Sequence, residues 1–321
     1  MTGEQQTRVA VIGAAGWAGS RHVAAFHQLG ADVTALIDPS PRTQELATSV
    51  GAEVLGSAEE LSPDSVDLVV VSLPSSFQPE AAAGLLRRGF RVLVEKPIGS
   101  SSDNAAVLEG IEGIDETLMV GYTLHQHPAA RELAEWISAS HVIGVSVRSA
   151  ARKLSLDSWR VAPDEGGVAV VNGIHAIEFV SSLFPGDAEV ISSHASDGLH
   201  GAAVPDYAAA TVAFDGGPLF RFESYWNPWN HSSGLNRDDW SLEIDVVAHE
   251  GRRVWSNWEI HAWDRLGSET VRHLPEVDLF LAQAADALRF AEGQAPTVGY
   301  RQALRATRLA DEIIARAGAL G

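Results

Sequence analysis

The run Val9-Ala10-Val11-Ile12-Gly13-Ala14-Ala15-Gly16-Trp17-Ala18-Gly19-Ser20-Arg21-His22 limits the fold more than any other stretch of the chain. A short apolar segment enters a turn with glycine at every third position and continues with helical character, the pattern of a buried strand feeding a helix. Gly13 suits a tight turn out of the strand, Gly16 a close approach of backbone to a pyrophosphate, and Gly19 close packing of helix on sheet. Ala15 stands where the commoner G-x-G-x-x-G spacing has its second glycine. Free amides at the helix start, together with the helix dipole, favour an anion, and Ala15, Gly16, Trp17 and Ala18 are candidate cofactor contacts. The next strand candidate, 33–37, ends in Asp38, about where an acidic residue meets the ribose hydroxyls of a dinucleotide. Asp38 would repel a 2′-phosphate, so NAD is the expected cofactor. Arg42 could meet such a phosphate or stack on adenine, which keeps NADP as the alternative.

At 321 residues the chain is comfortable for two domains. A formal net charge of -19 argues against nucleic acid or an anionic membrane as partner and leaves a small-molecule substrate. There is no cysteine, which removes disulfides, thiolate metal sites and a cysteine nucleophile, and suits a reducing cytoplasm. The polar start, residues 1–7, leaves no room for a signal peptide, and no apolar run is expected to approach the length of a membrane span.

Down the chain, 42–50 reads as a helix, 53–55 as a short strand and 66–73 as a strand buried on both faces. A helix over 79–88, a strand at 91–94, a helix over 103–112 and a strand at 117–120 complete a strand-helix alternation, which predicts a doubly wound parallel sheet with ligands at the carboxyl ends of its strands. Beyond Gly121 the pattern changes. Helices are expected over 128–137 and 172–184, strands over 142–148, 208–214, 219–226, 242–248 and 252–260, and two closing helices over 278–292 and 300–317. This is the signature of an α+β second domain.

At Glu95-Lys96-Pro97 the chain resembles the Gfo/Idh/MocA oxidoreductase family, named for glucose-fructose oxidoreductase and inositol dehydrogenase. The likeness includes the glycine turn with His22 beyond it, Leu73-Pro74, Val94-Glu95-Lys96-Pro97, Val120-Gly121-Tyr122, Gly166-Gly167 with Gly173-Ile174-His175, and the closing helix. It implies an N-terminal Rossmann domain, residues 1–122, and a C-terminal substrate and oligomerisation domain, residues 123–321, with a large, mostly antiparallel open sheet. Hydride transfer would take place in the cleft between them. The tryptophan-rich sheet of the second domain is what suggests a homo-oligomer, dimer or tetramer.

Lys96, at the end of a central strand, is placed to relay a proton or hydrogen-bond a reacting oxygen. Pro97 favours extended geometry at Lys96. By resemblance His175 acts as general acid or base, a role suited to a pKa near neutrality. Leu73, Pro74, Gln78, Glu95 and Lys96 itself join the cofactor set, with Gln78 standing where the family often has histidine. Val171 replaces the aspartate often found four residues before the histidine, and Asn172 beside it does not titrate. Substrate candidates are Tyr122, His125, Trp159, Arg160, which suits a carboxylate or phosphate, and Asn172. His125 and His127 have metal-ligand spacing but no evident third ligand, so no metal is expected. The tryptophans of 226–231 could face a sugar ring or fill a core or interface.

These residues predict hydride transfer between nicotinamide and a secondary alcohol or ketone of a small polyol, sugar or sugar derivative. Val171 favours two alternatives: a ketone or imine reductase, and a catalytically silent cofactor-sensing regulator.

Overall fold

The computed structural model describes residues 6–151, 155–227 and 240–318. Its first part alternates β1 (Arg8–Ile12), α1 (Trp17–Gln28), β2 (Asp32–Ile37), α2 (Arg42–Val50), β3 (Glu53–Val54), β4 (Leu68–Val71), α3 (Gln78–Arg87), β5 (Val92–Glu95), α4 (Ser102–Ala105), α5 (Ile114–Thr117) and β6 (Leu118–Gly121). The six strands pair in parallel in the order β3-β2-β1-β4-β5-β6. This is the Rossmann order, whose direction of winding reverses between β1 and β4, opening a crevice at the carboxyl ends. Every residue of β4, β5 and β6 is buried, which is why these strands read as unbroken apolar runs. The helix expected over 103–112 is cut short: α4 passes into a single 3-10 turn, Ala106–Leu108, and Gly110 and Gly113 both take positive φ.

The second part contains α6 (Pro128–Ser138), β7 (Val142–Ala151), α7 (Ile174–Leu183), β8 (Ala188–Ser196), β9 (Tyr207–Phe214), β10 (Leu219–Trp226), β11 (Trp240–Ala248), β12 (Gly251–Ser256), β13 (Glu259–Asp264) and β14 (Glu269–His273), followed by α8 (Leu279–Ala291) and α9 (Tyr300–Gly318). Its eight strands run β14-β13-β12-β11-β7-β10-β9-β8 and pair antiparallel except for β7 with β10. One sheet face is apolar and buried, carrying Val145 and Val147, Phe220 and Phe222, Leu242 and Ile244. The strand expected over 252–260 is really a hairpin. Asn257, at φ 49, turns β12 into β13, a conformation that asparagine tolerates better than most residues. Two strands were not foreseen: β14 has no buried residue and β8 only one, so neither leaves a clear period of two.

The chain forms two compact units, Met1–Thr123 with Asp278–Leu304, and Leu124–Val277 with Arg305–Gly321. The return of α8 to the first unit follows from its apolar stripe: Ala284, Ala287 and Phe290 are buried in the cluster that holds Val9, Val11, Phe26, Val70 and Leu93. In the second unit Arg305 caps the end of α7, donating to the carbonyls of Ser181 and Phe184, each at 2.8 Å, and of Gly186. One expectation fails here. The run Pro163–Leu183 is long and apolar enough to cross a membrane, but 78% of its apolar 18-residue window is buried inside the protein, as in the core helix of a globular unit.

Candidate active site

In the first unit the glycine turn has the geometry its spacing predicts. Gly13 takes φ +76, and a Cβ there would lie 2.1 Å from the Ser72 carbonyl oxygen; one on Gly19 would lie 2.0 Å from that of Gly13. Both positions exclude any side chain. Gly16 precedes α1 in extended conformation, and no side chain caps the helix, so its first amides stay available for an anion. Asp38 follows β2, where one carboxylate oxygen accepts from the Ala15 amide (3.1 Å) and the other from Ser40 (2.8 Å). Arg42 opens α2 and is exposed. Trp17 is 39% exposed, with the Arg21 guanidinium 3.8 Å above its ring. Leu73 and Pro74, half-buried, leave β4 beside the turn. An uncapped helix start, a cradle that side chains would fill and a carboxylate beside it fit the pyrophosphate and ribose of a dinucleotide.

Lys96 is half-buried, directly after β5. Its neighbours on both sides are fixed from within. The Gln78 amide nitrogen donates to the carbonyls of Glu95 (2.8 Å) and Pro97 (2.6 Å), and Gln78 is 1% exposed. Glu95 accepts from the Lys96 amide at 3.2 Å through one oxygen and meets His22 Nε2 at 2.7 Å through the other. His22 is fully buried, its ring edge-on to Phe280 of α8. The Gln78 amide nitrogen and both Glu95 carboxylate oxygens are thus committed to protein partners. Tyr122, 2% exposed, is also enclosed, just after β6.

In the second unit a five-residue π turn, Ala169–Gly173, runs into α7 and carries Asn172 to the sheet. Such turns are frequent at functional sites. The Asn172 side-chain oxygen accepts from Trp226 Nε1 at 2.5 Å. Gly173 is required by Phe222, since a Cβ would lie 2.4 Å from the ring. His175, 8% exposed, lies against Trp240 with ring centroids 4.9 Å apart and the planes tilted by 33°, and Trp240 Nε1 donates to Ser149 Oγ at 2.5 Å. Ser149 and Ser224 are fully buried and pair across β7 and β10, polar interruptions of an otherwise apolar face. Val171 is buried and supplies no charge.

His125 and His127 go to different partners. His125 Nε2 lies 2.6 Å from Glu178, a carboxylate with its side chain 1% exposed, one turn beyond His175 on α7. His127 caps α6, accepting from the Ala129 amide, between Trp255 and Trp258; burial pushes its pKa down to about 4. Trp159 is partly exposed, with the Arg160 guanidinium 4.8 Å from its ring. Trp226 is a core residue, whereas 228–231 lie outside the described residues. Ser149, Glu178 and Trp240 were not singled out from the sequence. Only Ser149 left a signal there, as a polar residue at a core position of an alternating strand.

Comparison with known proteins follows this division. Residues 7–122 match the oxidoreductase family with an NAD-binding Rossmann fold of the Gfo/Idh/MocA group, and residues 131–252 match the Gfo/Idh/MocA C-terminal domain. A D-xylose 1-dehydrogenase (NADP+) of Haloferax volcanii is 30% identical over 175 residues, 53% of this chain and 53% of that protein. The matched stretch thus spans about half the length of that curated relative. In fold the chain is similar to a 3-ketoreductase from Actinomadura kijaniata in complex with NADP, with a TM-score of 0.81 at 21% identity over 97% of this chain and 98% of that one. It is also similar to a myo-inositol dehydrogenase from Corynebacterium glutamicum, with a TM-score of 0.79 at 19% identity over 98% and 97% of the two chains.

Proposed function

This chain belongs to the Gfo/Idh/MocA oxidoreductase family, and from that premise we propose that it interconverts a secondary alcohol and a ketone on a small polyol, sugar or sugar derivative, with NAD preferred over NADP. It is an NAD(P)-dependent oxidoreductase; the substrate class is our reading. The observation that carries it is Lys96: one half-buried ammonium at the carboxyl end of β5, with the chain on either side clamped, in the same unit as the glycine turn. The residues that would hold the cofactor are Gly13, Ala15, Gly16, Trp17 and Ala18 at the pyrophosphate, Asp38 at the ribose, and Leu73 and Pro74 beside them. When bound, the nicotinamide supplies the hydride acceptor or donor. Lys96 holds the reacting oxygen and moves its proton, and His175 takes the part of general base.

Asp38 supports NAD, since its carboxylate would repel a 2′-phosphate, with exposed Arg42 as the only counterweight nearby on α2. The D-xylose dehydrogenase and the myo-inositol dehydrogenase support the substrate class, and the 3-ketoreductase supports chemistry at a ketone. Val171 favours a second reading, ketone reduction: no carboxylate at that position stabilises an imidazolium at His175. Self-association and a cytoplasmic location belong to the same proposal. Leu219 and Val247, 44% and 43% exposed, flank Gly144 on the outer face of the second sheet and offer a row for a second copy.

The test is absorbance at 340 nm, with NAD+ and NADP+ against D-xylose, myo-inositol and a panel of sugars and polyols, and with NADH against keto sugars and imines. NADH formed with a sugar or polyol supports the main reading, and NADH consumed only with ketones or imines moves it to the reductase. Tight NADH binding with silence across the panel favours the regulator.

A further inference from the structure

The polar groups around Lys96 are arranged at a cost that ordinary strand closure does not require. Both partners of the Gln78 nitrogen are carbonyl oxygens, so the amide must face them with its NH2. Its own oxygen is left buried with no hydrogen-bond partner. One side chain therefore spans the backbone from Glu95 to Pro97, with Lys96 between the two anchored carbonyls. On the other side the Glu95 carboxylate takes the Lys96 amide, and is itself held by a histidine whose Nδ1 is buried without a partner. Buried orphans of this kind are few in folded proteins and call for a reason. Here two of them belong to side chains that hold the chain around Lys96: Gln78 the carbonyls on either side of it, and His22 the carboxylate that takes its amide.

We infer that Gln78 and the Glu95–His22 pair are positioning residues for Lys96: they set the place and direction of its amine through its own backbone. They take no proton and touch no substrate. This rests on the reading of Lys96 as the proton-handling group, but the positioning itself is measurable without turnover. Gln78 acts from α3, 17 residues before Glu95, and His22 from α1, so the lysine is fixed by two helices and its own strand. Misplacing a reacting group by about an ångström costs up to roughly a hundredfold in rate, which gives such a clamp its value.

The sequence makes the test clean, because Lys96 and Lys153 are its only lysines. Reductive methylation of the full-length protein with 13C-formaldehyde labels these two amines and the N-terminus. The Lys96 signal is the one lost in Lys96→Arg. Its position and titration are then followed in the wild type, Gln78→Leu and Glu95→Gln, with and without NADH. Glu95→Gln has nearly the same size and retains the fold should Gln78→Leu lose it. The expected result is a displaced Lys96 resonance and a shifted titration midpoint in each folded variant, both in the free protein and with NADH present. A purely structural role would lower the melting temperature and leave the Lys96 signal in place; that result in both variants overturns the inference. Should Lys96→Ala retain turnover, the catalytic reading of Lys96 fails while the displaced signal still establishes the clamp.

Discussion

Glu95 and His22 meet at 2.7 Å between Oε1 and Nε2, with both side chains buried, in a pair joining the end of β5 to the middle of α1. Removing one partner leaves the other buried without a hydrogen bond, at about 1–3 kcal/mol. Glu95→Ala strands both His22 and the Lys96 amide and should be the more damaging change, with His22→Leu milder. Urea denaturation of the two variants checks the order.

Asp38→Ala should weaken NAD binding by roughly tenfold or more, the scale of a hydrogen bond to a charged group, and NADP binding less. The same carboxylate accepts from Ala15 and Ser40, so some loss reaches both cofactors through the glycine turn. Titration with NADH and NADPH by fluorescence separates the two. An equal loss for both cofactors would remove Asp38 from the ribose.

His127 gives a stability that depends on acidity. Its pKa is lowered from 6.5 to about 4 by burial, so the unfolded chain takes up the proton at higher pH than the folded one. The contribution is complete above about pH 6.5 and is lost as pH falls toward 4, by roughly 3 kcal/mol in total. His127→Asn retains an acceptor for the Ala129 amide and removes the titration. Urea midpoints measured across this window should fall less steeply for the variant than for the wild type.

Gly173→Val should destabilise the second unit by about 1–3 kcal/mol, because a Cβ meets the Phe222 ring at 2.4 Å and Phe222, 2% exposed, has no room to retreat. The strain falls two residues before His175, so turnover should suffer more than cofactor affinity. Thermal melting and steady-state kinetics on one preparation make the comparison.

What the sequence shows most clearly is what local geometry enforces. Gly13 and Gly19 are glycines because backbone oxygens occupy the space of a Cβ, and β4 reads as a plain apolar run because both its faces are covered. Lys96 stands out because a proline follows it at a strand end. What stays hidden depends on distance along the chain. Nothing near Gln78 announces that its amide spans two carbonyls at the end of the next strand and just past it, nor anything near Glu178 that its partner is His125, 53 residues away. The return of α8 to the first unit is equally silent, since an apolar stripe says that a helix packs but not against which sheet. Asn257 hides for the opposite reason: a single residue at positive φ breaks one expected strand into two, in a stretch whose composition is strand-like throughout.

The most direct test of the account is NADH formation at 340 nm by Lys96→Ala beside the wild type, using the best substrate of the sugar and polyol panel, with NADH affinity measured on both proteins. The account predicts that the variant binds NADH as the wild type does and loses turnover by a hundredfold or more, on the order expected for a lost general acid or base. A variant that turns over at the wild-type rate would contradict it.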